Sequence, residues 1–485
     1  MTEIATTPTG PTTADPPLYR WRWLALVAVL TAEIMDLLDA TIVGVAAPSI
    51  RADLGGDSTV IQWIAAGYTL AFAVGLVTGG RLGDLYGRRR MFLGGLAGFV
   101  VTSALCGLAV SPEMLIVSRV LQGLFGAILI PQGFGIIKSV FPPRELGAAF
   151  GSFGPAMGLS AVGGPILAGA LVAWDFGGLG WRTVFLINVP IGLACLALAW
   201  KVLPESRADD GPRPDPLGML LVSTGLVLLV FPLVQGRELG WPAWVFWLLA
   251  ASVPVLVLFG LHQVRRSRAG RAPLVEPALF GSRAFTGGLF VGLFFFGGLV
   301  GFVLVLGLYL QLTLGFTPLQ AGLAQAPWAL GMAIGATVSG AVLARRFGRP
   351  VIQVGAVVVA LGLAGVLLTL SPADGPATGW QLAPALFVCG FGSGLLVAPF
   401  FDIVLAGVSL SMVGSASGVL NANQQLGGAA GVAVLGTVYF QLFDAGEAKG
   451  AIEAVLWTTI GLALAAGAVA GALPRHARPE DAAGT

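Results

Sequence analysis

Long apolar stretches follow one another along almost the whole of the 485-residue chain, separated only by short polar ones. A bilayer core of about 30 Å needs about 20 apolar residues per helix. Inside that core every backbone N–H and C=O must find a partner within the chain, which leaves only helices or a closed barrel. The alternation of apolar and polar residues that a barrel strand needs is absent. With 56% hydrophobic and 10% charged residues and a mean hydropathy of +0.88, the chain reads as an all-α membrane protein.

Fourteen transmembrane helices are expected, at about residues 22–48, 59–80, 91–110, 113–137, 148–173, 184–203, 216–236, 244–263, 285–310, 321–344, 350–371, 381–404, 414–440 and 452–473. Basic residues test that number, because cytoplasmic loops carry the excess of Lys and Arg. With the N-terminus inside, 21 of the 26 basic residues fall in inner segments and 4 in outer ones (Arg51, Arg182, Arg237 and Lys449), while Arg119 lies inside the fourth helix. Both termini are therefore expected in the cytoplasm, and the basic face suits an anionic leaflet rather than nucleic acid. Residues 1–19, rich in Thr and Pro, lack the apolar core of a signal peptide and read as a disordered tail. Cys106, Cys195 and Cys389 are widely spaced within apolar segments and read as isolated buried thiols, with neither a disulfide framework nor a metal site.

Two segments recur. "GRLGDLYGRRR" (80–90) has a weaker echo in "VLARRFGRP" (342–350), in which Leu343, Gly348 and Arg349 match Leu82, Gly87 and Arg88, and Arg345 replaces Asp84. The glycine-rich fifth helix, "GSFGPAMGLSAVGGPILAG" (151–169), has a counterpart in "GSASGVLNANQQLGGAAGVAVLG" (414–436). Both offsets follow if two six-helix halves are separated by two inserted helices. The expected organisation is a tail (1–21), an N-terminal bundle (22–203), a linker with the inserted helices (204–284), a C-terminal bundle (285–473) and a second tail (474–485). Repeats around a midplane site are typical of secondary transporters.

The first helix holds the costliest residues. In "TAEIMDLLDATIVGVAAPSI" (31–50), Asp36 falls near the midplane, with Glu33 and Asp39 each about 4.5 Å away along the axis. Steps of three residues turn each acid by about 60°, so the three share one stripe. An ionised acid at the bilayer centre costs about 2.5–3.5 kcal/mol even on a lenient scale. The acids must line water, pair with Arg119 or carry protons. A carboxylate taken out of water beside another gives up its proton less readily, so Asp36 and Asp39 are expected to carry protons. Glu33 reads as a substrate-facing or auxiliary acid, with Arg119 stabilising the deprotonated state. The alternative is that some of these acids merely bond to neighbouring helices.

The motifs together resemble the major facilitator superfamily, specifically its fourteen-helix drug:proton antiporters, over nearly the whole chain. "LLDATIVGVAAPSI" (37–50) resembles that family's first-helix motif, with Gly44 where Asn is usual, and "GRLGDLYGRRR" its loop motif. "SRVLQGLFGA" (118–127) is similar to its fourth-helix motif, and "GWRTVFLINVPIG" (180–192) also fits this branch. "GGPILAG" (163–169), with Gly163, Gly164, Pro165 and Gly169, resembles its antiporter motif, Ala168 replacing a usual Gly. The resemblance implies alternating access, proton-driven export of a small hydrophobic drug-like compound, and antibiotic resistance. It also implies that the loop motif (Gly80, Asp84, Gly87, Arg88) latches the halves when the protein faces outward. The Arg excess over Lys, 23 to 3, and the abundance of Ala and Gly point to a GC-rich bacterial genome and so to the inner (plasma) membrane.

Bottom-up readings stand beside that resemblance. Gly80, Gly83 and Gly87 permit a tight cytoplasmic turn, with Asp84 facing a helix N-terminus or an arginine. A generic positive-inside anchor is the plainer alternative. Glycine and proline in the fifth helix allow either close packing or bending. Trp63, Tyr68 and the "LFFFGG" run (293–298) are candidates for an aromatic wall, and Gln311, Gln325, Asn421 and Gln425 for polar substrate contacts, with core packing and interhelical hydrogen bonding as alternatives. Asp402 reads as snorkelling from the inner end of the twelfth helix. With two histidines, no nucleotide-binding loop and no metal-ligand cluster, the chain is not expected to be an enzyme or to need a cofactor. A monomer exchanging protons for a cationic, neutral or anionic substrate is expected; an exporter or symporter of one metabolite is the alternative. No motif in the two inserted helices assigns them a role.

Overall fold

The computed structural model describes residues 18–55, 58–206, 215–236, 239–370, 379–406, 408–409 and 412–475. Most of the two expected tails, 1–21 and 474–485, lies outside the described residues, as does the polar segment before the first inserted helix. Among the described residues every regular element is helical. In chain order these are α1 (Arg22–Leu54), α2 (Ser58–Tyr86), α3 (Arg88–Gly107), α4 (Pro112–Val140), α5 (Pro143–Gly151), α6 (Phe153–Trp174), α7 (Arg182–Leu186), α8 (Asn188–Val202), α9 (Pro216–Gln235), α10 (Ala243–Arg268), α11 (Arg283–Leu312), α12 (Pro318–Val338), α13 (Ala344–Phe347), α14 (Arg349–Leu370), α15 (Gly379–Ala406), α16 (Val413–Asp444) and α17 (Ala448–Ala470). Eleven helices, counting α7–α8 as one, are long and apolar enough to cross a bilayer among the described residues.

Local chemistry sets several starts. Ser111 accepts the Met114 N–H at 3.3 Å with Pro112 in the first turn of α4, and Thr317 and Gln320 form a reciprocal capping box on α12. Asp215 caps α9 through the Gly218 N–H (3.0 Å) and also meets His262 and Gln263 of α10. Burial would raise the Asp215 carboxyl. The hydrogen bonds from His262, Gly218 and Gln263, with the Arg266 charge, outweigh burial and hold it below the usual carboxylate range.

The expected fifth helix is two, α5 and α6, meeting at Ser152, whose hydroxyl donates to Ala149 O at 2.5 Å. The expected tenth helix ends in a π turn (Ser339–Leu343), where Ser339 Oγ donates across to Leu395 O at 2.9 Å. The turn read at "GRLGDLYG" is also corrected. α2 continues to Tyr86, so Gly80 and Gly83 are helical and only Gly87, at φ +98°, makes the turn. Gly80 is instead needed for contact, because a Cβ there would lie 2.3 Å from Gly414 O.

Lipid offers no hydrophobic drive between helices, so small residues that let backbones touch do the packing. A Cβ on Gly79 of α2 would stand 2.1 Å from Ala127 O of α4, and one on Gly362 of α14 would stand 2.4 Å from Cys389 N of α15. The repeat noted in the sequence has a structural counterpart. After the left-handed glycines Gly87 and Gly348, the Arg88 N–H donates to Ser206 O (2.9 Å) and the Arg349 N–H to Arg475 O (2.8 Å).

Two seams join α1–α8 to α11–α17. Along one, α2 near residues 76–84 meets α16 near 414–418; along the other, residues 147–158 of α5 and α6 meet 329–340. Both are tightest at the end that carries Arg81, Arg88, Lys138 and Arg349. There Lys138 Nζ of α4 donates to Leu405 O (2.6 Å) and to Val408 O at the end of α15. Phe134, Phe150 and Phe153 pack on Phe401, with ring centroids 5.2–6.4 Å apart. Asp402 does not snorkel: it is 6% exposed and lines a cleft of about 420 Å³ with Lys138 and Phe150, shielded by α5. α9 packs against both α2 and α16, covering one seam, and α10 packs on α9.

Candidate functional site

α1 carries its acids inward at three-residue spacing, but the structure gives them different partners. Asp39 is fully buried, and its Oδ2 accepts from Arg119 of α4. Its Oδ1 accepts from Gln122 Nε2 (3.0 Å) and Asn188 Nδ2 (2.8 Å). Asp36, 5% exposed, accepts from the Tyr68 hydroxyl of α2. Glu33 is only partly buried and makes no hydrogen bond or ion pair among the described residues. The single stripe of the sequence reading thus becomes an ion-paired acid, a phenol-bonded acid and a partly open one.

Arg119 is 1% exposed. It donates to Asp39, to Gln122 Oε1 (2.8 Å) and to Ile64 O (3.2 Å), and its guanidinium stands 4.2 Å from the Tyr68 ring centroid. Gln122 follows Arg119 by three residues, hence the same face of α4. Behind Asp39, Ser103 Oγ of α3 accepts from Gln122 (3.2 Å) and Asn188 (3.0 Å) and donates to Phe185 O (3.0 Å). Desolvating a charge pair is tolerable only when the remaining donors and acceptors are also met, and here both Asp39 oxygens and both ends of Gln122 have partners.

Sequence reasoning found Asp36, Asp39 and Arg119 but assigned nothing to Gln122, Asn188 or Ser103. Two signals were available: the three-residue step from Arg119 to Gln122, and a lone amide in the apolar run "VFLINVPIG".

The loop motif forms a second cluster, at the end where the seams are tightest. Asp84, fully buried, meets Arg88 at 2.9 Å and Arg81 at 3.5 Å and accepts from the Ser415 amide at the start of α16. Gly163 has only Leu38 near a would-be Cβ, at 3.9 Å, and Gly169 has nothing within 4 Å. Close approach in this segment is seen at Gly151, Gly154 and Gly158, which lie on α12 and its π turn. Gly164 is buried, while the Pro165 side chain and the surroundings of Gly44 lie outside what is described.

The remaining candidates scatter. Trp63 stacks on Phe231 of α9 at 6.0 Å, while Tyr68 bonds to Asp36. Phe295 and Phe296 are core residues, 5% and 3% exposed. Gln311, Gln325 and Asn421 bond to carbonyls of their own helices, Asn423 ties α16 to α11 through Leu289 O, and Gln425 is half-buried. Among the described residues no group of three His, Cys, Asp or Glu side chains is placed to hold a metal ion.

Residues 29–432 match the family model described as Major Facilitator Superfamily. Over 431 residues the chain is 54% identical to the probable actinorhodin transporter of Streptomyces coelicolor, spanning 89% of this chain and 75% of that one. It is 36% identical over 419 residues to the tetracenomycin C resistance and export protein of Streptomyces glaucescens, spanning 86% of this chain and 76% of the relative. Among solved structures, the proton:xylose symporter XylE bound to 6-bromo-6-deoxy-D-glucose is similar in fold, with a TM-score of 0.65 and 13% identity over 92% of this chain and 94% of that one.

Proposed function

The chain belongs to the major facilitator superfamily, and from that premise we propose that it is a proton-coupled antibiotic exporter of a bacterial inner membrane, with both termini cytoplasmic. The observation that carries the coupling is the buried Asp39–Arg119 pair with Asp36 on Tyr68 beside it, since ionisable groups held inside a membrane bundle are costly and functional by default. In this reading fourteen segments cross the bilayer: the eleven apolar spans together with α1, α2 and the α5–α6 pair. α1–α8 and α11–α17 are the two halves, and α9–α10 the insertion.

Positive-inside orientation makes the Arg-rich end cytoplasmic, so this is the cytoplasm-closed state, latched by Asp84, Lys138 and the Phe401 cluster. Protons arriving from outside reach Asp36 and Asp39, and the substrate leaves outward. The halves then rock to the inward-facing state, which releases the protons and reloads from Glu33 onward. Each ligand shifts the equilibrium only by its different affinity for the two states.

The export claim is tested by expression in a sensitive host lacking its own pumps, challenged with actinorhodin or tetracenomycin C. Raised resistance with the intact chain, lost in the Asp36→Asn/Asp39→Asn double variant at equal membrane abundance, is expected. Unchanged sensitivity to both compounds would turn attention to a symporter of one metabolite on the same fold.

A further inference from the structure

The Asp39 carboxylate is held by one cation and two neutral amides, and the amides differ in what they have left to offer. Gln122 has committed both ends, its Nε2 to Asp39 and Ser103 and its Oε1 to Arg119. Asn188, the first residue of α8 and 2% exposed, gives Nδ2 to Asp39 Oδ1 (2.8 Å) and Ser103 Oγ (3.0 Å), while its Oδ1 makes no hydrogen bond among the described residues. On its other side Asn188 lines a cavity of about 100 Å³ with Met35 and Leu38 of α1, Leu167 of α6 and Ile191 of α8. The amide therefore has room to turn.

A carboxylate needs donors and a carboxylic acid needs an acceptor for its O–H; arginine offers donors only, whereas an amide offers both. We propose that Asn188 is a positioning residue for proton exchange at Asp39: its amide donates to the ionised carboxylate and, turned over, accepts from the protonated acid. This inference rests on the proton-coupling reading above. It gives the Asp39 carboxyl a hydrogen-bond partner in both protonation states, including when Arg119 withdraws. The titratable groups around this carboxyl are Asp36 and Glu33 on α1, Tyr68 on α2, Cys106 on α3 and Arg119 on α4. α6 has no titratable side chain, and those of α8 are Cys195, bonded to Ala28 O, and Lys201 in its last turn.

Infrared difference spectroscopy of the purified full chain in lipid tests this without a substrate. Stepwise acidification should bring up a carboxylic-acid C=O band that vanishes in Asp39→Asn. In Asn188→Leu, or Asn188→Ala should the larger residue not fold, that band should change frequency and its midpoint should move by at least about half a pH unit, roughly threefold in proton binding. Asn188→Ser, which keeps a donor and an acceptor in one hydroxyl, should restore part of both. A band and midpoint unaltered in a folded Asn188→Leu or Asn188→Ala protein would overturn the role of Asn188 while leaving proton coupling standing. Absence of any band dependent on Asp39 in the intact chain would instead remove the reading on which the inference rests.

Discussion

Arg119 cannot be removed alone without leaving Asp39 as an unpaired charge inside the bundle, and breaking a buried pair from one side costs about 3–5 kcal/mol. Arg119→Leu should therefore lower the melting temperature in detergent markedly. Arg119→Leu/Asp39→Asn, which neutralises both partners, should recover most of that loss while leaving transport abolished. Equal stability of the single and double variants would mean that the pair is not the electrostatic unit its geometry describes. Charges were the legible part of this site, because an acid or arginine in an apolar helix has few structural excuses. Gln122, Asn188 and Ser103 were not legible: a neutral amide or hydroxyl costs far less to bury, so nothing marks it until its partners are known.

Helices meet across the Arg-rich end through backbone contacts and a few directed bonds, of which Lys138 makes the most exposed claim on the state of the protein. Its ammonium lies on Leu405 O in the last turn of α15, where the helix dipole also favours a cation, and on Val408 O just beyond it. Replacing it with Met removes charge-assisted bonds worth about 2 kcal/mol, which should shift the closed-to-open ratio roughly thirtyfold toward opening. Alkylation of a cysteine at Ser417, buried in the neighbouring seam, reads this out once Cys106, Cys195 and Cys389 have been replaced. Faster labelling is expected, and an unchanged rate would show that Lys138 does not hold the gate. Spans were legible from hydropathy, but their ends were not. α1 and α2 run on into polar sequence, where helix is favoured by neighbours and water rather than by lipid. The break at Ser152 carries only a short-range hydroxyl bond to Ala149 O, whereas that at Ser339 is bonded to Leu395 O, remote in sequence.

At the scale of the whole molecule, two sets of helices touch closely at one end, with the buried acids nearer the middle of α1. α9 covers one of the two seams between them. The internal repeat was visible in glycine and arginine spacing, and the matching bonds from Arg88 and Arg349 give it a physical basis. The place of α9 between α2 and α16 was not visible, since an apolar helix facing lipid and one facing a seam have the same composition. The central claim, that substrate leaves in exchange for protons at the α1 acids, is tested most directly in inside-out vesicles with a preformed acid interior, followed by a pH-sensitive dye. Addition of tetracenomycin C or actinorhodin should dissipate the gradient with the intact chain and leave it standing with Asp36→Asn/Asp39→Asn. Dissipation of equal size by both proteins would contradict the account.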